Sequence, residues 1–293
     1  MQSMLSPASA AGRRLAPGHA AVEALAVNGV EVVFGLNGDH ILKLYDGLAD
    51  TPSIRHVTVK HENNAALAAE VYGRLTGRPG VAVVTAGPGA LNSISGVASA
   101  YAAGAPVVHL SGAVPVGAAL ESFHGVDAED FTARAFVPVT KASYRVTHPL
   151  DILAALINAF AVAVAGRPGP VHVEITRDVL EGNAIELPAL LPAPRPAAKP
   201  APDLDRLLER LRAARRPVIV AGKGAWYPPV SAALVELAEA LQVPVAHTWD
   251  GHAAMPTVHS LSLGLYRGAG SHPAVLRELE AADLVLGIGV RPG

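Results

Sequence analysis

The stretch VKHENNAALAAEVYGRL, residues 59–75, places a carboxylate where it could hold or move a proton. Small residues follow Glu62 at helical spacing, on one stripe of a predicted helix: Ala65, Ala66, Ala69 and Gly73. Small side chains in register allow another backbone or a second helix to approach closely. We therefore predict that Glu62 points into a tight, water-poor seam, where a carboxylate needs a hydrogen-bond partner.

A second interpretation of Glu62 is purely structural, because the helix dipole favours acidic residues in the first helical turn. Two interpretations also apply to Gly87-Pro88-Gly89, a predicted turn between the strand VAVVTA and the helix ALNSISGVASAYAAG. The backbone of such a turn can approach a ligand closely, or the turn can serve packing alone. The residues by themselves leave both pairs of interpretations open.

Alternating strands and helices position these residues. A helix over 19–30 is predicted to end at Asn28-Gly29, and the strands EVVFG, IRHVTV, VAVVTA, PVVHLSG and VHVEIT follow along the chain. Helices are predicted near 40–49, after Glu62, over 90–104 and over 150–165, and a loop at 115–130. Short apolar strands alternating with helices predict an α/β fold with a parallel, helix-covered sheet.

The chain divides into segments by composition. Residues 1–14 are predicted to be a disordered lead-in, 15–185 a first α/β domain, and the Pro/Ala-rich 186–202 a semi-rigid linker. Residues 203–293 form a second, Rossmann-like α/β unit that begins with a helix at 203–213. Its last strand, LVLGI, reads like the centre of a sheet. We therefore expect this small unit to be incomplete, or to be completed by another polypeptide.

Composition excludes several classes of function. The 293 residues are 51% hydrophobic and 16% charged, which suits buried parallel strands, and the net charge of −2 indicates neither nucleic-acid nor membrane-surface binding. No cysteine is present, which excludes disulfides, thiolate catalysis and Cys-ligated metals. The N-terminal residues have the wrong order of charged and apolar residues for a secretory signal, so a cytoplasmic protein is expected.

Three stretches together resemble the pyrimidine-binding domain of thiamine diphosphate (ThDP) enzymes of the acetolactate synthase and pyruvate decarboxylase group. They are EVVFGLNGDHILKLYDGL (31–48), the run from HENNAALAAE to PVVHLSG (61–112), and AGRPGPVHVEITRDV (165–179). The linker and second unit resemble the start of the central domain of that family. The resemblance covers residues 15–293, which correspond to about the first half of a typical enzyme of the family.

The resemblance implies a role for Glu62. In this family the matching glutamate hydrogen-bonds N1′ of the aminopyrimidine ring and promotes the tautomer that removes the C2 proton of the thiazolium. The resemblance further implies that Gly38 and the turn Gly87-Pro88-Gly89 lie beside the cofactor. The cofactor supplies the electron sink, and the protein orients and activates it.

Two further candidates come from the decarboxylase branch of the family. Asp39 in GLNGDH matches an acid of a Gly-Asp pair, and His124 in ESFHGVD matches the second of two adjacent histidines, the first being Phe123 here. Both residue types suit proton transfer near C2, while a turn role for Asp39 and a loop-capping role for His124 stay open. Lys141 matches a lysine near the substrate entrance of acetolactate synthases, although a solvated surface lysine is the favoured interpretation.

Three motifs are set aside. Gly38-Asp39 and Asn63-Asn64 mimic the Gly-Asp-Gly and Asn-Asn motif that holds Mg²⁺ and diphosphate, but the third glycine is His40. We therefore expect the Mg²⁺ ligands on a partner chain. FAD is compatible with Gly222-Lys223-Gly224, but a lone G-x-G does not indicate it. The histidines at 247, 252 and 259 fit no common ligand spacing, so no metal ligands are predicted in this chain.

The resemblance implies one subunit of a split ThDP-dependent, acetolactate synthase-like enzyme. Its reaction would decarboxylate a 2-oxo acid and ligate the enamine to a carbonyl acceptor, as a transferase. Simple decarboxylation, as a lyase, and a non-catalytic scaffold or regulatory subunit are the alternatives. A separate chain with the diphosphate-binding domain is expected in a hetero-oligomer with active sites at its interfaces. A truncated single-chain enzyme fits the sequence equally well.

Overall fold

A parallel sheet organises the part of the chain that precedes the Pro/Ala-rich segment. The computed structural model describes residues 12–187, 192–194 and 203–291. The chain divides into two compact units, Met1–Ala197 and Ala198–Gly293. None of the described helices combines the length and apolar character needed to cross a bilayer.

The elements of the first unit run in this order: β1 (Arg14–Leu15), α1 (Pro17–Val27), β2 (Val32–Gly35), α2 (Leu42–Ala49), β3 (Arg55–Thr58), α3 (Glu62–Thr76), β4 (Gly80–Val84), α4 (Pro88–Asn92), α5 (Ile94–Ala103), β5 (Val107–Ala113), α6 (Phe131–Phe136), β6 (Ala142–Val146), α7 (Asp151–Val164), β7 (Pro170–Thr176), α8 (Arg177–Leu180) and β8 (Ile185–Glu186). The predicted α/β class is confirmed. The single helix predicted over 90–104 is instead two, α4 and α5, which meet at Ser93.

Among the described residues of this unit, six parallel strands pair in the order β3-β2-β4-β5-β7-β6. The chain leaves β2 toward β3 and then returns to β4 on the other side of β2. The order therefore reverses between β2 and β4, and such a switch point opens a crevice at the carboxyl ends of the strands. This edge of the sheet is where the candidate site lies.

Alternation along β4 divides the core into two layers. Val81 and Val83 pack on one face with residues of α1, α2 and α7, while Ala82 and Val84 pack on the other face with α3 and α5. This period of two is what a strand covered on both faces requires. The small residues of α3 allow the second layer to pack closely, since a Cβ on Gly73 would lie 2.2 Å from the carbonyl oxygen of Pro106. The predicted stripe is thus buried against the sheet and α5.

The structure changes two predicted boundaries: the end of the N-terminal lead-in and the start of the Pro/Ala-rich linker. Residues 1–11 lie outside the described residues, but Arg14, the last residue of the predicted lead-in, belongs to β1, which pairs with β8. Glu186 and Leu187, predicted as linker, are also held here, because the Leu187 N–H donates to the carbonyl of Arg13 at 2.8 Å. The two short strands tie the ends of the first unit together. Most of the predicted linker, 188–191 and 195–202, lies outside the described residues.

The second unit contains α9 (Leu204–Ala213), β9 (Pro217–Ala221), α10 (Pro228–Leu241), β10 (Val245–His247), β11 (Ser262–Leu265), α11 (Pro273–Ala281) and β12 (Leu284–Ile288). Its described strands are parallel and pair in the order β11-β10-β9-β12. Strand β12, predicted to be central, lies at the edge of these four strands. Side chains along β12 alternate between partly buried and exposed, as in an edge strand, and Val285 is 51% exposed.

Candidate functional site

The candidate site lies at the carboxyl edge of four neighbouring strands of the first unit. Asp39 and His40 follow β2, Gly87 follows β4, the loop 115–130 follows β5, and Arg177 follows β7. Because these strands are adjacent and parallel, their following loops converge. A Cβ on Gly38 would lie 2.5 Å from the Cβ of Thr85, which shows how closely the loops after β2 and β4 approach.

Glu62 is the first residue of α3 and is 8% exposed, so the predicted burial is confirmed. The helix begins here because the His61 side chain accepts a hydrogen bond from the Asn63 N–H at 3.2 Å. The Asn92 amide donates to Glu62 Oε2 at 3.0 Å. Among the described residues, no group hydrogen-bonds Oε1, which would lie 3.4 Å from a Cβ built on Gly89. One carboxylate oxygen is therefore fixed and the other faces the glycine turn.

The turn Gly87-Pro88-Gly89 brings this carboxylate and the loop after β5 together. Gly87 has φ 55° and ψ −119°, a conformation open mainly to glycine. A Cβ there would lie 2.6 Å from the carbonyl oxygen of His124. The backbone of His124 thus packs directly on the turn that faces Glu62.

His124 also contacts a residue that the sequence analysis did not select. Its ring lies 4.3 Å from the ring of His40, measured between centroids. The His40 side chain is buried, and its Nε2 is 2.5 Å from Glu121 Oε2. Glu121 and His124 come from one turn of the loop, in which the His124 N–H donates to the Glu121 carbonyl at 3.2 Å.

Asp39 points away from this cluster of rings. Its side chain is 52% exposed and accepts a hydrogen bond from Arg177 at 2.6 Å, and the same guanidinium lies 3.8 Å from Glu121 Oε1. Among the described residues, the contacts that join Asp39 to His124 pass through Arg177, Glu121 and His40. Sequence reasoning missed these three residues because they follow different strands and share no local motif.

A second buried polar cluster lies under α4, on the strands β5 and β7. Ser93 Oγ donates to the Ala90 carbonyl at 2.6 Å and is 2.6 Å from His109 Nε2, while His109 Nδ1 is 2.8 Å from His172 Nδ1. Since the serine proton is used, His109 Nε2–H donates to Ser93, and His172 Nδ1–H donates to His109. Burial lowers the pKa of His109 to about 3 and also lowers that of His172. Both rings are therefore neutral and structural.

Lys141 is not a solvated surface lysine. Its ammonium donates to the carbonyls of Val162 and Ala165, at the end of α7. Burial, and then the charge of Arg167, lower the pKa of Lys141. This lysine stabilises a helix C-terminus, so the favoured sequence interpretation was wrong.

The motifs set aside from the sequence have packing roles. Asn63 Oδ1 accepts hydrogen bonds from the Ser95 hydroxyl and the Gly96 N–H, both at 2.7 Å, and so joins α3 to α5. In the second unit, Gly222 and Gly224 pack against the backbone of Gly289, since a Cβ on Gly222 would lie 2.4 Å from the Gly289 carbonyl oxygen. The glycines of this G-x-G are explained by that close approach.

The comparisons with known proteins agree with this architecture. The family described as "Thiamine pyrophosphate enzyme, N-terminal TPP binding domain" matches residues 17–131, and "Thiamine pyrophosphate enzyme, central domain" matches residues 204–293. The chain belongs to the thiamine pyrophosphate enzyme family. The match to the first domain covers Glu62, the glycine turn and His124. Thiamine pyrophosphate is another name for thiamine diphosphate (ThDP).

Three relatives of this thiamine pyrophosphate family member are large subunits of acetolactate synthase, one of them named as probable. A probable acetolactate synthase large subunit of Methanocaldococcus jannaschii is 36% identical over 280 residues, covering 93% of this chain and 46% of that protein. The acetolactate synthase large subunit of Lactococcus lactis is 35% identical over 268 residues, covering 90% and 46%. The acetolactate synthase isozyme 3 large subunit of Escherichia coli is 36% identical over 278 residues, covering 92% and 47%. The chain spans about half the length of these relatives.

The residues at the edge of the sheet fit the pyrimidine end of the family cofactor. Glu62 Oε1, which accepts no hydrogen bond from the described residues, can share a proton with a ring nitrogen. Thr85 Oγ1 is buried without a hydrogen-bond partner among the described residues. A buried hydroxyl of this kind is satisfied by a ligand or water.

Proposed function

We propose that this chain supplies the pyrimidine-binding half of the active site in a ThDP-dependent, acetolactate synthase-like enzyme. The reaction is decarboxylation of a 2-oxo acid and ligation of the remaining fragment to a carbonyl acceptor. The observation that carries the proposal is the buried Glu62, which has one oxygen fixed by Asn92 and the other facing the glycine turn. The 34–36% identity to acetolactate synthases over most of the chain supports the same class.

Glu62 is proposed to hold a proton between Oε1 and the pyrimidine nitrogen. The cofactor, when bound, supplies the electron sink for breaking the bond to the carboxyl group. The protein aligns the ring against Glu62 through the glycine turn and excludes water with the small residues of α3. Because Asn92 donates to Oε2, the carboxylate is oriented before the ligand binds, which strengthens a proton-sharing contact.

His124 is the better placed of the two proposed proton-transfer residues. Its backbone packs on the turn beside Glu62, while the carboxylate of Asp39 is half exposed and engaged by Arg177. We assign His124 to proton transfer at the substrate. Asp39 is a positioning residue that acts through Arg177 on the loop after β5.

The diphosphate and Mg²⁺ are proposed to be held by a domain outside these 293 residues, carried by a separate chain in a hetero-oligomer. Support comes from the relatives, of which this chain spans about half, and from the packing roles of the motifs that resemble a diphosphate site. Calorimetric titration of ThDP and Mg²⁺ into this chain, alone and together with the product of the adjacent reading frame, tests the arrangement. Binding only in the mixture supports a split site, while tight Mg²⁺-dependent binding by this chain alone refutes it.

Substitution Glu62→Gln in the assembled enzyme tests the catalytic role. The amide keeps the shape but cannot hold the proton, so we expect the turnover of pyruvate or another 2-oxo acid to fall by roughly 10²–10⁴-fold. Glu70→Gln is the matched control, because Glu70 is another buried glutamate of α3, at 5% exposure, and pairs with Arg74. Unchanged turnover in Glu62→Gln would exclude the catalytic role and favour a scaffold or regulatory subunit.

Simple decarboxylation is the second candidate, and the position of His124 favours it. An imidazole beside the reacting centre can protonate the decarboxylated fragment before an acceptor arrives. Product analysis separates the two reactions: a 2-hydroxy-2-methyl-3-oxo acid from pyruvate identifies ligation, and an aldehyde identifies simple decarboxylation.

A further inference from the structure

Two imidazoles and a carboxylate converge beside the glycine turn. His40 follows β2, while Glu121 and His124 belong to the loop after β5. One ligand-type atom from each of the three residues lies within 4.8 Å of the others. Two histidines and one carboxylate form a common ligand set for divalent transition metals, and a fourth position stays open to water or a ligand.

The loop is built to present both of its residues on one side. The Glu121 carbonyl accepts hydrogen bonds from the N–H groups of His124 and Gly125, at 3.2 and 2.9 Å, which forms one helical turn. Residues three apart on such a turn face the same direction. Phe123 has a positive φ of 69°, which interrupts the helical turn at this residue. Its side chain is 91% exposed. Glu121 and His124 thus both point toward His40.

Hydrogen-bonding and charged groups around His124 and Glu121 orient these two side chains. His124 Nδ1 is 3.2 Å from the Ser122 carbonyl, so Nδ1 carries the proton and Nε2 presents its lone pair. Glu121 uses Oε2 toward His40, while Arg177 lies 3.8 Å from its other oxygen. Metal-ligating carboxylates are commonly oriented in this way.

His40 is the buried member of the three residues. The residue is 2% exposed, and its Nδ1 has no hydrogen-bond partner among the described residues. Nε2, the ring nitrogen that faces Glu121, can bind a cation when the proton of this nitrogen moves to Nδ1. Ligand atoms of a tetrahedral zinc site lie about 3.3 Å apart. The His124 ring must therefore move by about 1–1.5 Å toward His40. Glu121 Oε2, which is 2.5 Å from His40 Nε2, must move away from it by about 0.8 Å.

We propose that His40, Glu121 and His124 form a binding site for a divalent transition metal of the Zn²⁺ class. The imidazoles favour Zn²⁺ and Co²⁺ over Mg²⁺, which prefers oxygen ligands. A consequence, which rests on the proposed function, is that bound metal occupies His124 Nε2 and inhibits the proton transfer assigned to this residue.

The test uses this chain alone, stripped of metal with a chelator and without an affinity tag that contains histidine. Zn²⁺ titration by calorimetry should give one site per chain, and Co²⁺ should give the visible absorption of a nitrogen- and oxygen-ligated tetrahedral site. His124→Gln and Glu121→Gln should each weaken Zn²⁺ binding by more than 100-fold. This exceeds the roughly 10–100-fold loss expected when a residue that only hydrogen-bonds a metal ligand is removed.

His148→Gln is the matched control, because His148 is an exposed loop histidine of the same unit. The control should bind Zn²⁺ like the unsubstituted chain, and circular dichroism should show that all variants are folded. The proposal is overturned if the unsubstituted chain binds no Zn²⁺, if His124→Gln binds it equally well, or if His148→Gln loses as much affinity. Neither ThDP nor a partner domain enters this test, so its failure leaves the proposed function standing.

Discussion

Replacing Gly87 with alanine perturbs the contact that holds the loop of His124 against the glycine turn. Gly87 has φ 55° and ψ −119°, where a Cβ is strained. The added Cβ would lie 2.6 Å from the carbonyl oxygen of His124 and 2.9 Å from its Cα. Backbone atoms cannot rotate away as a side chain can, so the turn or the loop must move.

The expected loss of stability has two parts. Strain at an unfavourable backbone conformation costs of order 1–3 kcal/mol. The forced shift of a packed neighbour costs roughly another 1–3 kcal/mol. Gly77→Ala separates them, because Gly77 has φ 69° and no atom within 4 Å of its added Cβ. That control should lose only about 1–2 kcal/mol, the cost of the left-handed conformation.

Hydrogen exchange measured by mass spectrometry is the suitable assay, because peptides from β5 report on the first unit separately from the second. A loss of about 2–6 kcal/mol accelerates exchange through global opening by roughly 30- to 20,000-fold, at 1.4 kcal/mol for each factor of ten. The acceleration of exchange in Gly87→Ala should exceed that in Gly77→Ala by at least about fivefold, because the packing part alone is about 1 kcal/mol or more. Equal acceleration in the two variants would refute the inferred contact between the turn and the loop of His124.

Three further substitutions test other parts of the first unit. Lys141→Met should destabilise it by about 1–3 kcal/mol in urea denaturation, because two carbonyls at the end of α7 lose their donor. His109→Gln should make the stability of the first unit less sensitive to acid. In the unfolded chain the His109 ring binds a proton below pH 6.5, whereas in the folded unit burial lowers its pKa to about 3. The free energy of unfolding of the unsubstituted chain therefore falls by ~1.4 kcal/mol for each pH unit between these two values, and the variant lacks this loss. Asn63→Ala should cost about 1–2 kcal/mol because two hydrogen bonds to α5 are lost, whereas Asn64→Ala should stay within about 0.5 kcal/mol.

Each of these expectations has its own check. For Lys141→Met, the control is Lys43→Met at an exposed position. An equal loss of unfolding free energy in both variants would show that the hydrogen bonds from Lys141 to the end of α7 contribute nothing to stability. For His109, the quantity measured is the difference in stability between pH 7 and pH 5, and an unchanged difference in the variant would contradict the neutral, buried ring. For the asparagines, equal losses would contradict the assignment of Asn63 to helix packing.

The helices and strands near the candidate site follow closely from local patterns. The Ala and Gly stripe of α3, the apolar run of β4 and the Gly-Pro-Gly turn each carry their own signal, because period and turn chemistry are properties of neighbouring residues. Glu62 could be selected for the same reason, as it begins the stripe. The break at Ser93 between α4 and α5 was missed, since no glycine or proline marks it.

The cluster around His124 could not be derived in this way. His40 and Glu121 are 81 positions apart in the sequence, and Arg177 lies further on still. They meet because the sheet order places β2, β4, β5 and β7 side by side, so that the loops after them converge. The burial of Lys141 and the edge position of β12 also depend on what packs around them, which a local pattern does not record.

The sequence by itself determined that this chain is an α/β protein, and it predicted a buried carboxylate at the start of a small-residue helix, because periodicity and residue size act over a few neighbouring positions. It also determined the family resemblance, since the motifs are contiguous. Only the tertiary structure decided that Asn92 fixes one oxygen of Glu62, that Asp39 pairs with Arg177, and that His40 joins Glu121 and His124. These contacts depend on strand order and on the approach of backbones from distant parts of the chain, and those are set by packing of the whole unit.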